Sequence, residues 1–231
     1  MTEPIHLKPA AELAPRVLLP GDPHRSLAVA QDLLEAPRMF NHHRGLWGYT
    51  GIAADGLPMS VQATGMGGPS AAIVAEELVD LGAEVLVRIG TCGALDSSLR
   101  VGDVVAVTEA IATDGTSRAL GAGERIAPDP DLAAALAESA GQTATAMSVD
   151  LFYGERPEPK GGRPLNDSLV VEMEAAAVFA VASKRGVRAG CLLGVSDQLA
   201  GPERVRIARE ELESLGLELG RRAYATLAAT R

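Results

Sequence analysis

Residues 169–182 read LVVEMEAAAVFAVA, with two carboxylates, Glu172 and Glu174, in a run that is otherwise apolar. Burying charge is expensive unless something pairs with it, so both glutamates need a reason to be there. On a helix, residues two apart diverge by about 200°, whereas on a strand they share a face. Val170 and Val171 favour a strand and the alanine run from Ala175 favours a helix, which places the change at Met173–Glu174. Both carboxylates then stand at a strand end that opens into a site; the alternative is two helix-start glutamates facing solvent. Glu174 also lies beside a helix N-terminus, which favours negative charge.

The same strand-then-helix rhythm extends outward in both directions. VLLP (17–20), VLVRIG (85–90) and AGCLLGVS (189–196) are short apolar runs of the buried-strand kind. WGYTGIAA and PMSVQAT form a strand pair with a turn at ADG, VGDVVAVTEAIA carries one or two strands, and QTATAMSV another. Between them lie helical patterns: RSLAVAQDLL after the turn at GDP, AAIVAEELVDLG opened by Pro69 and Ser70 and closed by Gly82, and DPDLAAALAESA. A long helix from about Glu203 to Leu227 closes the chain. This alternation predicts the α/β class: a single-domain α/β/α sandwich over residues 1–231 with a central mixed, mostly parallel sheet. The Pro- and Gly-rich ERPEPKGGRPLND (155–167) reads as an exposed excursion.

Composition narrows the function. A net charge of −9 argues against a nucleic-acid surface, which needs clustered Lys and Arg. The two cysteines, Cys92 and Cys191, sit in apolar surroundings and suggest buried thiols in a reducing compartment. Histidines occur only at 6, 24, 42 and 43, with no HExxH or CxxC spacing, so no protein-held metal is expected. There is no P-loop and no G-x-S-x-G elbow. No run approaches the ~18 charge-free apolar residues of a membrane span. MTEPIHLKPA lacks the pattern of a signal peptide. A cytoplasmic location is the expectation.

Four stretches carry candidate chemistry. GMGGPS (65–70) departs from the dinucleotide fingerprint at Ser70 and reads as a turn where a ligand can approach the backbone, or as a tight connection only. LPGDPHR (19–25) can hold a small anion between backbone amides and Arg25, or merely end a strand beside a surface arginine. In VRIGTCGAL (87–95), Arg88 lies within a buried strand and requires an anionic partner, either a carboxylate of the chain or a bound anion. Its place at the carboxyl end of the strand, where α/β sheets gather ligands, favours the bound anion. In GVSDQL (194–199), Asp197 is placed for acid–base work or as a helix cap.

Taken in order, IHL, LPGDPHR, NHHRGLWGYTG, ATGMGGPSAAIVAEEL, VRIGTCGAL, DLFY, VVEMEAA and VSD resemble the nucleoside phosphorylase family of the hexameric, bacterial purine type, which also includes uridine phosphorylases. The resemblance covers nearly the whole chain. One signature position departs: Ala63 stands where the family has Gly, Ser or Thr. The resemblance implies reversible phosphorolysis of purine ribo- or deoxyribonucleosides in purine salvage, with inorganic phosphate as co-substrate and no cofactor. Gly21, Arg25, Arg88 and Thr91 would hold the phosphate, with Arg44 reaching in from a neighbouring subunit. Glu174 would accept from the 2′ and 3′ hydroxyls, so that a sugar rather than a protein cation would be its partner. Met173 would pack on the sugar and Glu172 would either touch it or brace the site. His6 of the neighbour would meet the 5′ hydroxyl. Met66, Phe152 and Ser196 complete the nucleoside pocket. Asp197 would be the general acid that protonates the leaving purine at N7. An arginine on the last helix would assist it, with Arg204, Arg206 and Arg209 competing and Arg209 preferred. The borrowed His6 and Arg44 imply a dimer as the smallest complete unit and a hexamer, a trimer of dimers, as the assembly.

Two features favour purine over uridine: the 155–167 loop is short and contains no Gln, and the acid of VSD is present. A hydrolytic nucleosidase of the methylthioadenosine type would dispense with the phosphate arginines. A nucleoside- or anion-binding protein without turnover would not need Asp197.

Overall fold

The computed structural model describes residues 4–153, 169–200 and 204–230, so the excursion read at 155–167 lies outside the described residues. Three strands show how the layers arise. Along β1 (Arg16–Pro20), β5 (Val85–Ala94) and β10 (Arg188–Gln198) nearly every residue is buried, as expected of strands covered on both faces. Successive side chains then enter opposite layers: Val17 and Leu19 one core, Leu18 the other; Cys191 and Leu193 the first, Leu192 the second.

The first core is covered by α2 (Gly68–Asp80) and α5 (Ala175–Arg185), which contribute Val74, Leu78, Val178 and Phe179. The second is covered by α1 (Pro23–Leu33), α4 (Pro130–Ala140) and α6 (Arg209–Ala229), through Val29, Leu132, Leu136, Leu215 and Leu219. A short α3 (Gly115–Ala119) brings the described helices to six. The result is the α/β/α sandwich the alternation predicted.

The sheet is mixed. β4 (Pro58–Gln62), β1, β5 and β10 run parallel through its centre, as do β6 (Val104–Ala112), β8 (Thr143–Ser148) and β9 (Val170–Glu172). β10 pairs antiparallel with β6, and β9 pairs antiparallel with β5. These two joins close β5, β10, β6, β8 and β9 into a ring, which periodicity could not reveal because ring closure is a matter of partner choice. β3 (Gly48–Ala53) and β2 (Leu34–Asn41) finish one edge antiparallel. β2 escaped the sequence reading because Pro37 interrupts it. The chain accommodates the proline with a register shift between Glu35 and Arg38 and a positive φ of 43° at Ala36, as edge strands allow.

The last helix also begins later than the pattern suggested. Val205 and Arg206 form a two-residue strand, β11, paired with Gln198 and Asp197 of β10. A two-residue β7 (Arg125–Ile126) pairs with β6. No described helix is long and apolar enough to cross a membrane.

Candidate active site

The carboxyl ends of β1, β5, β8, β9 and β10 open into one cleft of about 780 Å³. Gly21, Arg25, Met66, Arg88, Thr91, Phe152, Glu172, Met173, Glu174, Ser196 and Asp197 all line it. His6 and Arg44 do not.

Its centre is an ion cluster. β9 ends at Glu172 and α5 begins at Ala175, so the switch of periodicity falls where the sequence placed it. Glu172 has a fully buried side chain, and its Oε2 accepts from Arg88 Nε at 3.0 Å and from the amides of Glu174 and Ala175 at 2.8 and 2.9 Å. Its Oε1 accepts from the Ser148 hydroxyl, whose oxygen in turn accepts from the Ala176 amide at 3.0 Å. Glu172 and Ser148 together satisfy the first free amides of α5. Glu172 is therefore a brace: four donors of the chain meet its fully buried carboxylate. Burial pushes its carboxyl pKa up, and the Glu174 charge adds to this against the pull of Arg88.

Glu174 differs. Arg88 Nη2 meets its Oε2 at 2.5 Å, and Gly67 N donates to its Oε1 at 2.6 Å. A carboxylate offers about four acceptor sites, so Glu174 keeps capacity on both oxygens for donors in the cleft. Two expectations are corrected here. Arg88 is held by two carboxylates rather than waiting for an anion, and Glu174 does have a protein cation as partner. The physical reason is shared: one guanidinium lies within reach of two carboxylates, and buried charges of opposite sign pair before anything else. Burial alone would lower the Arg88 pKa, but Glu174 and Glu172 raise it above its ordinary value. The Gly-rich turn likewise spends the Gly67 amide on Glu174. Ser70 Oγ closes that turn by donating to Thr64 O at 2.6 Å.

Arg25 is the contrasting cation. It stands in the first turn of α1, capped by Asp22, whose side chain accepts from the His24 amide. Burial lowers the Arg25 pKa, with Asp22 opposing and Arg88 adding to the drop. Among the described residues it has no hydrogen-bond or ion-pair partner. A half-buried guanidinium in that condition is a strong attractor for an anion.

At the far side of the cleft lies Asp197. A register shift between β5 and β10 falls at Ser196, and such a bulge re-aims the side chains beside it. Asp197 Oδ1 accepts from Arg204 Nε and Nη2 at 2.9 and 2.6 Å, and the Ser196 hydroxyl lies 2.8 Å from Oδ2. Asp197 is thus a strand residue, not a helix cap. Arg206 is farther off at 3.7 Å, and Arg209 turns away to Glu213 one turn along α6. The preference for Arg209 is therefore corrected in favour of Arg204, which precedes the helix. Arg204 also sits 5.9 Å from the Phe152 ring centroid, in cation–π range. Gly93, Leu95, Val149, Val171 and Leu199 add apolar lining to the cleft.

Sequence reasoning missed Ser148, Thr113 and Asp150. Ser148 is in register with Glu172 on β9, Thr113 Oγ1 donates to the Ser148 carbonyl, and Asp150 accepts from the Gly115 amide. A serine ending a buried strand was the available signal for the first; the other two act through contacts no local pattern shows.

His6 and Arg44 lie together outside this cleft. His43 Nδ1 lies 2.9 Å from the His6 carbonyl, and Arg44 is exposed with φ 59°, in the left-handed region that non-glycine residues seldom adopt. Among the described residues, no cluster of His, Cys, Asp and Glu is placed to hold a metal.

The chain matches the model of the phosphorylase superfamily over residues 15–229. It is 38% identical over 200 residues to a DeoD-type purine nucleoside phosphorylase of Geobacillus kaustophilus, covering 81% of this chain and 83% of the relative. Corresponding enzymes of Alkaliphilus metalliredigens and Clostridium novyi are 36% identical over 197 residues (81% and 84% covered) and 34% over 209 residues (87% and 89% covered). With its strands closed around one charged cleft and its match running almost end to end, the chain belongs to the phosphorylase superfamily.

Proposed function

We propose that this protein is a purine nucleoside phosphorylase. It is a pentosyltransferase that exchanges the base of a purine ribo- or deoxyribonucleoside for phosphate, reversibly, giving free base and pentose 1-phosphate. Phosphate is the co-substrate and no cofactor takes part. One observation carries the reading: a single cleft holds a guanidinium, Arg25, that has no partner among the described residues, next to the Arg88–Glu174 pair, and an acid with its own cation, Asp197–Arg204, beside the Phe152 ring. The Arg88 guanidinium stands over Gly90, three positions before Gly93, the β5 partner of Asp197, which is about 10 Å of extended backbone. That length suits a pentose and a purine laid end to end, with Arg25 beyond them.

Phosphate occupies the Arg25 end, against Gly21, Arg88 and Thr91, with Arg44 of a neighbouring protomer. Glu174 takes the vicinal hydroxyls on its spare acceptor sites, and Met173 packs on the sugar. Met66, Phe152 and Ser196 enclose the base. As the glycosidic bond breaks, the bound phosphate stabilises the positive charge growing on the sugar and attacks the anomeric carbon. Asp197 gives its proton to N7 of the leaving purine, and Arg204 stabilises the carboxylate left behind. The assembly is a hexamer, a trimer of dimers, of one nucleoside phosphorylase domain over residues 1–231, acting in the cytoplasm in purine salvage. The position of His6 and Arg44 outside their own cleft supports the shared site.

Base release from inosine, adenosine and uridine, with and without phosphate, tests the reading. Phosphate-dependent cleavage of the purine nucleosides is expected, falling by at least ~100-fold in Asp197→Ala, in line with the worth of a positioned general acid. Cleavage of uridine but not inosine would overturn the purine assignment, and cleavage without phosphate would make the protein a nucleosidase.

A further inference from the structure

Glu77 lies on α2, seven residues beyond the Gly-rich stretch at 65–70, and does not line the cleft. It is 8% exposed, and among the described residues its carboxylate pairs with a histidine, His6, and with no arginine or lysine. It gathers the N-terminal segment instead. The amides of Ile5, His6 and Leu7 donate to it at 3.1, 2.9 and 2.7 Å, and His6 Nδ1 lies 2.7 Å from Oε1. Burial would raise the Glu77 pKa, but the Leu7 amide, the His6 ring and the other amides hold it below the ordinary value. An ionised Glu77 accepts only, so Nδ1 of His6 must carry the proton toward it. In the neutral ring Nε2 is then an acceptor, and among the described residues it has no partner. His43, adjoining Arg44, holds the His6 carbonyl from the other side at 2.9 Å.

This is the second-partner arrangement that sets a histidine's tautomer and aim. A carboxylate buried solely to anchor a chain terminus would need the amides but not the imidazole. We propose that Glu77 is the positioning residue for His6: it holds Nδ1 and so fixes the ring with Nε2 outward, so that the shared site selects nucleosides bearing a free 5′ hydroxyl. The proposal rests on the reading above, in which His6 meets the 5′ hydroxyl in a neighbouring protomer's cleft.

The test compares kcat/KM for inosine and for 5′-deoxyinosine, which lacks only that hydroxyl. In Glu77→Gln the ratio between them is expected to fall by about tenfold, the worth of one well-placed hydrogen bond, while 5′-deoxyinosine turnover stays near wild type. His6→Ala should lower the ratio equally, the double variant should lower it no further, and Glu77→Asp should recover part of it. Two outcomes overturn the role of Glu77: an unchanged ratio in Glu77→Gln where His6→Ala lowers it, or an equal loss on both substrates, which marks a structural anchor. If Glu77→Gln does not fold, the Glu77→Asp ratio decides in the same way. An unchanged ratio in His6→Ala would instead remove His6 from the 5′ position, and the proposal would fall with it. Loss of phosphate dependence in the wild-type protein would strike the phosphorylase reading alone.

Discussion

Arg88 can reach both Glu172 and Glu174 because residue 90 has no side chain. A Cβ on Gly90 would stand 2.6 Å from Arg88 Nη2 and 2.7 Å from its Cζ, well inside contact distance. The guanidinium lies folded over its own strand, on the one residue that leaves room. Gly90→Ala should therefore push the guanidinium off its carboxylates. Breaking a buried ion pair costs about 3–5 kcal/mol, and each kcal/mol lowers Tm by roughly 2–4 °C in a domain of this size. A thermal melt should show a fall of about 10 °C, together with lost turnover; an unchanged melt would mean that Arg88 finds its partners by another path. The need of Arg88 for an anion was legible in VRIGTCGAL, and the identity of that anion was not. Glu172 lies 84 positions away in the chain, and nothing local distinguishes it from a ligand.

Between elements, the packing of α1 against α6 places Arg25. Gly220 leaves space for Val29, whose Cγ1 would be 2.8 Å from an added Cβ, and Gly216 does the same for Arg25, whose Nε would be 3.1 Å away. The two glycines are one turn apart and let the helices approach closely, so that Arg25 crosses α6 on its way to the cleft. Alanine at 216 should favour the helix by about 0.5–1 kcal/mol while displacing Arg25 by a few tenths of an ångström. The expected signature is a raised KM for phosphate with Tm held or increased and the KM for inosine unchanged. A phosphate KM equal to wild type would show that Arg25 lies clear of the anion. The helical pattern of α6 was readable from its apolar spacing. Its start was not, because Val205 and Arg206 are drawn into the sheet by β10, and a two-residue pairing leaves no periodic trace.

For the whole molecule, the decisive question is which protomer supplies Arg44. In a mixed dimer of Arg44→Ala and Arg88→Ala protomers, a site shared across the interface leaves one cleft with both arginines and the other with neither. Co-expressed mixtures should then regain activity that neither variant has alone, measured as phosphate-dependent inosine cleavage. A site built wholly within one chain predicts no recovery, since each cleft would still lack one arginine. The ring of β5, β10, β6, β8 and β9 gives the other molecular-scale result. It brings Ser148 and Glu172 into register, sets Asp197 opposite Gly93, and turns scattered strand ends into one cleft.

Taken by itself, the sequence determined what is encoded within a few residues. It carried the alternation of strand and helix, the change of period at Met173–Glu174, the two-sided burial of β1, β5 and β10, and the glycine turns and charged residues at strand ends. Propensity and periodicity act over one element, so these features survive without tertiary context. Tertiary structure alone decided who pairs with whom: Arg88 with two glutamates, Glu77 with the segment holding His6, and Arg204 rather than Arg209 with Asp197. Three arginines between positions 204 and 209 are chemically equivalent in a sequence. Only the register of β10 against β11 and the start of α6 give each a different neighbour, because electrostatic partnership depends on distance in space, which the chain settles when it closes.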